Sequence, residues 1–191
     1  TKEDLAAFSE EDLTACGYAE GSDTINGYFV EIDGEYYADD GCFDLMTLPD
    51  SYVLTPATIT MDRRPFAEGS FRLAYHGKDD TNASIILKKY RCPSADNVLR
   101  FLDDLEVTST ARHLAHEFSQ HLPTNHRRVD FLNVRVFVAP PPGLRPQTRV
   151  VTRNTLLSMM TGVVVSVETP LSSEFVKYNN NSDYVNTEQY S

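Results

Sequence analysis

Phe66-Ala67-Glu68-Gly69-Ser70-Phe71-Arg72-Leu73-Ala74-Tyr75 is followed, nine residues on, by Ile85-Ile86-Leu87-Lys88-Lys89-Tyr90. The period of these two stretches decides the fold class. Residues 71–76 and 84–90 read as strands, and the proline and glycine of RRPFAEGS (63–70) suit a turn between the first of them and a further strand at 58–61. Alternation sends Ile86, Lys88 and Tyr90 to one face of their strand. A lysine on the covered side of a sheet is costly without an anion. Lys88 is therefore either an ordinary strand-end charge or the partner of a carboxylate or phosphate. A turn of small residues can also turn backbone N–H groups toward a phosphate, and Arg72 on the following strand would add a fork of donors.

Working outward toward the N-terminus, residues 25–37 (INGYFVEIDGEYY) alternate aromatic or branched residues with polar ones around Asp33-Gly34, a strong signal for a tight hairpin. Leu5, Phe8 and Leu13 fit a short helix ending near Gly17. Toward the C-terminus the period becomes helical. Val98, Leu102, Leu105, Ala111, Leu114, Ala115 and Phe118 return at three- and four-residue intervals, with Ser94 as N-cap and Pro123 as the stop. Two apolar strands follow, at 129–139 and 162–167, separated by the proline-rich 140–146 and the short stretch 152–160. Strands, one long helix, then strands again imply an α+β fold with a mainly antiparallel sheet.

The 191 residues suffice for one domain, and 41% hydrophobic content suffices for a packed core. A net charge of −11 with no basic stripe argues against nucleic acid as a partner, so any phosphate site must be local. Three widely spaced cysteines (Cys16, Cys42, Cys92) suit a reducing, cytoplasmic compartment better than a disulfide framework. No apolar run approaches the roughly 20 residues of a membrane helix, and the acidic opening TKEDLAAFSEEDL is unlike a leader peptide. No membrane partner is expected.

Several residues admit two readings. Glu168 closes the apolar run VVVSV, as an ordinary strand-end carboxylate or as a carboxylate beside a flat heterocycle. In Phe175-Val176-Lys177-Tyr178-Asn179-Asn180-Asn181 the asparagines favour turns, and Lys177 is either a solvated charge or a ligand donor. His113 and His116 have a spacing that can chelate a metal, but no cysteine or acidic partner falls at ligand spacing. They read as surface histidines, and no metal site is expected among them.

Four of these pieces, in this order, resemble the alpha-type protein kinases. PFAEGSFRLAY resembles their glycine-containing loop and following strand, ILKKY the nucleotide-binding lysine strand, VVVSVETPL the strand entering the hinge, and FVKYNNNSDYV their K-Y-N-x-N segment. The resemblance covers about residues 55–190. It implies an N-terminal ATP-binding lobe at 51–191, preceded by an extension at 1–50 carrying the short helix and aromatic hairpin. The positions it marks are Lys88 and Arg72 on the ATP phosphates, Gly69 in the loop over the nucleotide, Glu168 near the adenine amino group, Leu171 in the hinge, and Lys177 with Asn181 near the phosphates and the lobe junction. The complete enzyme would transfer phosphate from ATP, with magnesium, to serine or threonine of a protein substrate.

The sequence departs from the family in two respects. Only seven residues follow Tyr184, and the D-x-Q aspartate, the aspartate for magnesium, the G-x-G-N-L-G loop and the zinc ligands are absent from the chain. No catalytic residue is therefore assigned within it, and a catalytically inactive, kinase-derived interaction or regulatory module is the alternative. The carboxylate that would pair Lys88 from the helix is also open between Glu106 and Glu117, with Glu106 preferred. The stretch 152–160 and its proline-rich leader resemble an insertion.

Overall fold

The computed structural model describes residues 21–32, 51–91, 95–123, 126 and 128–171. Eight strands and two helices follow in the order β1 (Ser22–Ile32), β2 (Ser51–Asp62), β3 (Ala67–Glu68), β4 (Arg72–Lys78), β5 (Ser84–Tyr90), α1 (Ala95–Gln120), β6 (Arg135–Ala139), β7 (Val150–Thr152), α2 (Arg153–Met159) and β8 (Val163–Glu168). The α+β class, the antiparallel sheet and the long helix are as the periodicity requires. Residues 25–32 of the alternating pattern fall in β1, and the rest of it, with the turn at Asp33-Gly34, lies outside the described residues, as do the first 20 residues, Ser94 and all three cysteines.

The strand order is β3-β4-β5-β8-β6-β1-β2-β7, with every strand pair among the described residues antiparallel. A further pairing of β2 with β4, Thr60 opposite Lys78 and Met61 opposite Gly77, bends the sheet back onto itself. Six strands thus close into a ring, with β3 and β7 as short appendages. Gly77 permits the closure: a Cβ there would lie 2.2 Å from the Thr60 carbonyl oxygen and 2.5 Å from Leu87 Cδ1.

Alternation then separates two cores. Phe29, Ile59, Tyr75, Leu87, Phe137 and Val165 fill the inside of the ring. Val30, Tyr52, Leu54, Val136, Val138 and Val164 point outward, where Phe101, Leu102 and Leu105 of α1 and Leu156 and Met159 of α2 cover them. Burial of each such leucine stabilises the fold by about 1.5–3 kcal/mol. α1 therefore lies against the outer face over β1, β6 and β8, with Asp104 reaching Arg72 of β4 at one flank, and this placement creates the site.

Three local outcomes differ from the periodicity. The apolar run at 129–139 becomes a strand only from Arg135, because the β8 and β1 ladders that flank β6 begin at Arg135 and Val136. Val129, Phe131 and Leu132 remain exposed. The stretch 152–160 is chiefly a short helix, α2, whose N-cap Thr152 accepts a bond from Thr155 N. Finally, β2 extends well before Thr58 despite Pro56, which sits between the segments that pair with β7 (51–53) and with β4 (60–61), where a missing N–H is tolerated.

Candidate functional site

On the β4–β5 ladder Arg72 faces Tyr90, and Ala74 faces Lys88. On the β5–β8 ladder Lys88 faces Ser166, and Ile86 faces Glu168. Because side chains alternate, Arg72, Lys88, Tyr90 and Glu168 share one face of the sheet, the outer one that α1 partly covers. Lys88 and Arg72 stand two residues apart along the ladder, about 7 Å. The alternation that places Ile85 and Leu87 in the ring interior is what turns Lys88 to this face.

Lys88 Nζ donates to both carboxylate oxygens of Glu168, at 2.8 and 2.6 Å. The Lys88 side chain is 32% exposed and that of Glu168 13%, so the ammonium is held firmly yet open to an approaching ligand. The strand lysine thus takes its carboxylate from the neighbouring strand. Glu106, the helical residue preferred from sequence, pairs instead with Arg153. It projects from the far side of α1, and Glu117 is exposed in the C-terminal half of the helix.

Arg72 is held from three sides. Its Nη2 donates to the Tyr90 hydroxyl at 2.9 Å and forms an ion pair with Asp104 of α1. Its guanidinium carbon lies 4.7 Å from the centroid of the Tyr90 ring. The Tyr90 hydroxyl donates in turn to Asp104 Oδ2 at 3.2 Å. Burial raises the Tyr90 phenol above its ordinary range, assisted by Asp104 and opposed by Arg72. It therefore stays a neutral donor at physiological pH. A second cation is fixed in this way beside Lys88.

Gly69 follows β3 and donates its N–H to the Arg72 carbonyl at 2.8 Å. A Cβ there would meet nothing closer than that oxygen, at 3.5 Å, so space is left beside the loop. Leu171, three residues past β8, is 54% exposed. Lys177 and Asn181 lie outside the described residues. Asp104 and Tyr90 are the site residues that sequence reasoning did not find. Tyr90 had a signal in its parity with Lys88. Asp104, in the pair Asp103-Asp104, had none beyond charge.

Elsewhere, His113 and His116 line a cleft of about 580 Å³ between α1 and the end of β1, together with Arg112 and Asp130. Among the described residues no three metal-ligating side chains converge, and no helix is long and apolar enough to cross a membrane.

Comparison with known proteins places this geometry. The chain shares its fold with an alpha kinase from Entamoeba histolytica at a TM-score of 0.73 and 20% identity, covering 87% of this chain and 62% of that one. The inactive alpha-kinase domain of myosin heavy chain kinase A, solved with ATP, matches at 0.57 and 18%, covering 87% and 70%. A C-terminally truncated alpha-kinase domain of myosin heavy chain kinase matches at 0.60 and 18%, with the same coverage of 87% and 70%. The chain thus spans less than two thirds of the length of the Entamoeba protein. No curated protein matches it significantly in sequence. Strand order, helix placement and these likenesses define the fold as that of alpha-kinase domains. The model of the alpha-kinase family matches residues 67–191, and the chain belongs to that family.

Proposed function

We propose that this chain is the ATP-binding lobe of an alpha-type serine/threonine kinase, with 51–191 as the lobe and 1–50 as an extension. The carrying observation is the outer sheet face on which Lys88, chelated by Glu168, stands beside a restrained Arg72. Two cations on adjacent strands of one sheet face suit an elongated polyanion such as a triphosphate. In this reading an ATP phosphate replaces the Glu168 carboxylate on Lys88, and Glu168 turns to the adenine amino group. Arg72 reaches the outer phosphates, Gly69 lets the loop close over them, and Leu171 lines the hinge. Lys177 and Asn181 would complete the phosphate side. A solved relative in complex with ATP, and another with ADP, support a nucleotide ligand.

Phosphoryl transfer is mainly positioning and charge stabilisation, and these residues supply the charge. The described residues offer no cluster of carboxylates for magnesium. Residues of the complete enzyme beyond those described would hold the metal, orient the protein hydroxyl and complete transfer. Three widely spaced cysteines fit a cytoplasmic setting.

Titration of the folded chain with a fluorescent ATP analogue tests the reading. Saturable binding that ATP reverses is the expected result; a well-folded sample without affinity overturns it. Transfer of labelled phosphate by the complete kinase then distinguishes an active enzyme from an inactive regulatory relative.

A further inference from the structure

Each flank of α1 is tied to a different part of the sheet. Residues 104 and 106 lie about 200° apart around a helix of 3.6 residues per turn. Between them runs the row Phe101, Leu102 and Leu105, all buried against the sheet. On one flank Asp104 pairs with Arg72 and accepts from Tyr90. On the other, Glu106 accepts from the Tyr52 hydroxyl at 2.6 Å and pairs with Arg153, whose Nη1 also donates to Tyr52 at 2.8 Å. Tyr52 comes from β2 and is fully buried, and Arg153 is the first residue of α2.

The two flanks differ in kind from the row between them. Apolar contacts along Phe101, Leu102 and Leu105 are non-directional and tolerate a small roll of the helix. Charged hydrogen bonds do not, because they weaken steeply with distance and angle. A roll that draws Glu106 away from Arg153 must also move Asp104 relative to Arg72.

We infer that Arg153, Glu106 and Tyr52 are positioning residues for the nucleotide site. They fix the roll of α1, so that Asp104 presents its carboxylate to Arg72 and keeps the guanidinium over Tyr90. Arg153 thereby couples α2 to phosphates it does not touch. This inference rests on the nucleotide-binding reading above. It deepens that reading by adding residues that lie outside the positions contacting ATP.

The test is competition of ATP and of adenosine against a fluorescent ATP analogue on the whole chain. Wild type is compared with Arg153→Met, Arg72→Met and the double variant. Arg153→Met is expected to weaken ATP roughly five- to tenfold and leave adenosine unchanged, since only the phosphates meet Arg72. In the Arg72→Met background the same change should cost nothing further. Equal losses for ATP and adenosine, an unchanged ratio, or full additivity in the double variant overturns the inference. Tyr52→Phe, which removes one hydroxyl, gives a second reading should Arg153→Met fail to fold; the ATP-to-adenosine ratio should fall about two- to threefold, and no change overturns the proposal. Wild type that binds neither ligand sinks the nucleotide reading itself, and this inference with it.

Discussion

Two glutamates of this protein each sit in an ion pair, with side chains 13% exposed for Glu168 and 11% for Glu106, yet their surroundings differ. Glu106 belongs to a closed triangle: Arg153 and Tyr52 both bond it and bond each other. Glu168 meets one partner, an ammonium that solvent also reaches. In the triangle Glu106 Oε1, Arg153 Nη1 and the Tyr52 hydroxyl bond one another, so removal of one member strands the others in a poorly solvated place. In the open pair, an incoming anion can replace the carboxylate on the ammonium, and the displaced Glu168 then needs a new donor, which the adenine amino group would supply. Burial of the carboxylate alone does not separate a structural pair from a binding one. Solvent access to the cation differs between the two pairs: the Lys88 side chain is 32% exposed and that of Arg153 22%.

This contrast can be broken most directly at Glu106. Glu106→Ala should destabilise the fold by about 3 kcal/mol in urea unfolding, because Arg153 and Tyr52 are left without their acceptor. A loss no larger than that of Glu168→Ala would erase the distinction. Lys88→Ala should do the reverse: nucleotide affinity falls at least about tenfold, near 1.4 kcal/mol, while the unfolding midpoint hardly moves, as expected for a partly exposed pair. Retained binding removes Lys88 from the site. Asp104→Asn keeps the shape and removes the charge, and should cost about 1 kcal/mol of stability, together with a change in the Tyr90 titration. The Asp104 charge helps raise the Tyr90 phenol, so its ionisation, followed by ultraviolet absorbance, should move to lower pH in the variant.

The smallest effect is expected at the β4–β5 turn. Asp79 Oδ1 accepts from the Thr81 hydroxyl and from the N–H groups of Thr81 and Ala83. The Thr81 hydroxyl, opposed by burial and helped by the backbone bonds, holds the carboxyl below its ordinary value. A carboxyl lowered by folding contributes stability above its unfolded pKa and loses it as pH falls through the folded value. Asp79→Ala should therefore cost about 0.5–1 kcal/mol at neutral pH. The difference from wild type should fade on acidification, and one that persists unchanged in acid would show that the carboxylate is not the cause.

Much of this was legible in the sequence, for identifiable reasons. The alternation of Ile85 and Leu87 with Ile86, Lys88 and Tyr90 assigned Lys88 to the opposite face from the apolar pair, and the 3.6-residue return of Leu102, Leu105 and Ala115 assigned α1. Both patterns are local. Ring closure was not legible, because Thr60 and Met61 meet Lys78 and Gly77 only in three dimensions. Nor was α2, whose seven residues are too few to establish a period. The helical partner expected for Lys88 failed for a similar reason. A glutamate on a helix announces its charge, whereas its angular position relative to Arg72 or Arg153 depends on how the helix is seated. Asp104 escaped notice on the same account.

Ring closure has a further consequence for how such chains behave in a crowded solution. Hydrogen-bonding strand borders act as templates onto which another polypeptide can add. Here the six ring strands border one another, and the two ends of the sheet are β3 and β7, of two and three residues. Among the described residues the sheet ends only in these two short strands, which give a neighbouring molecule scant purchase for strand addition, and the close approach of β4 to β2 at Gly77 guards solubility as much as shape.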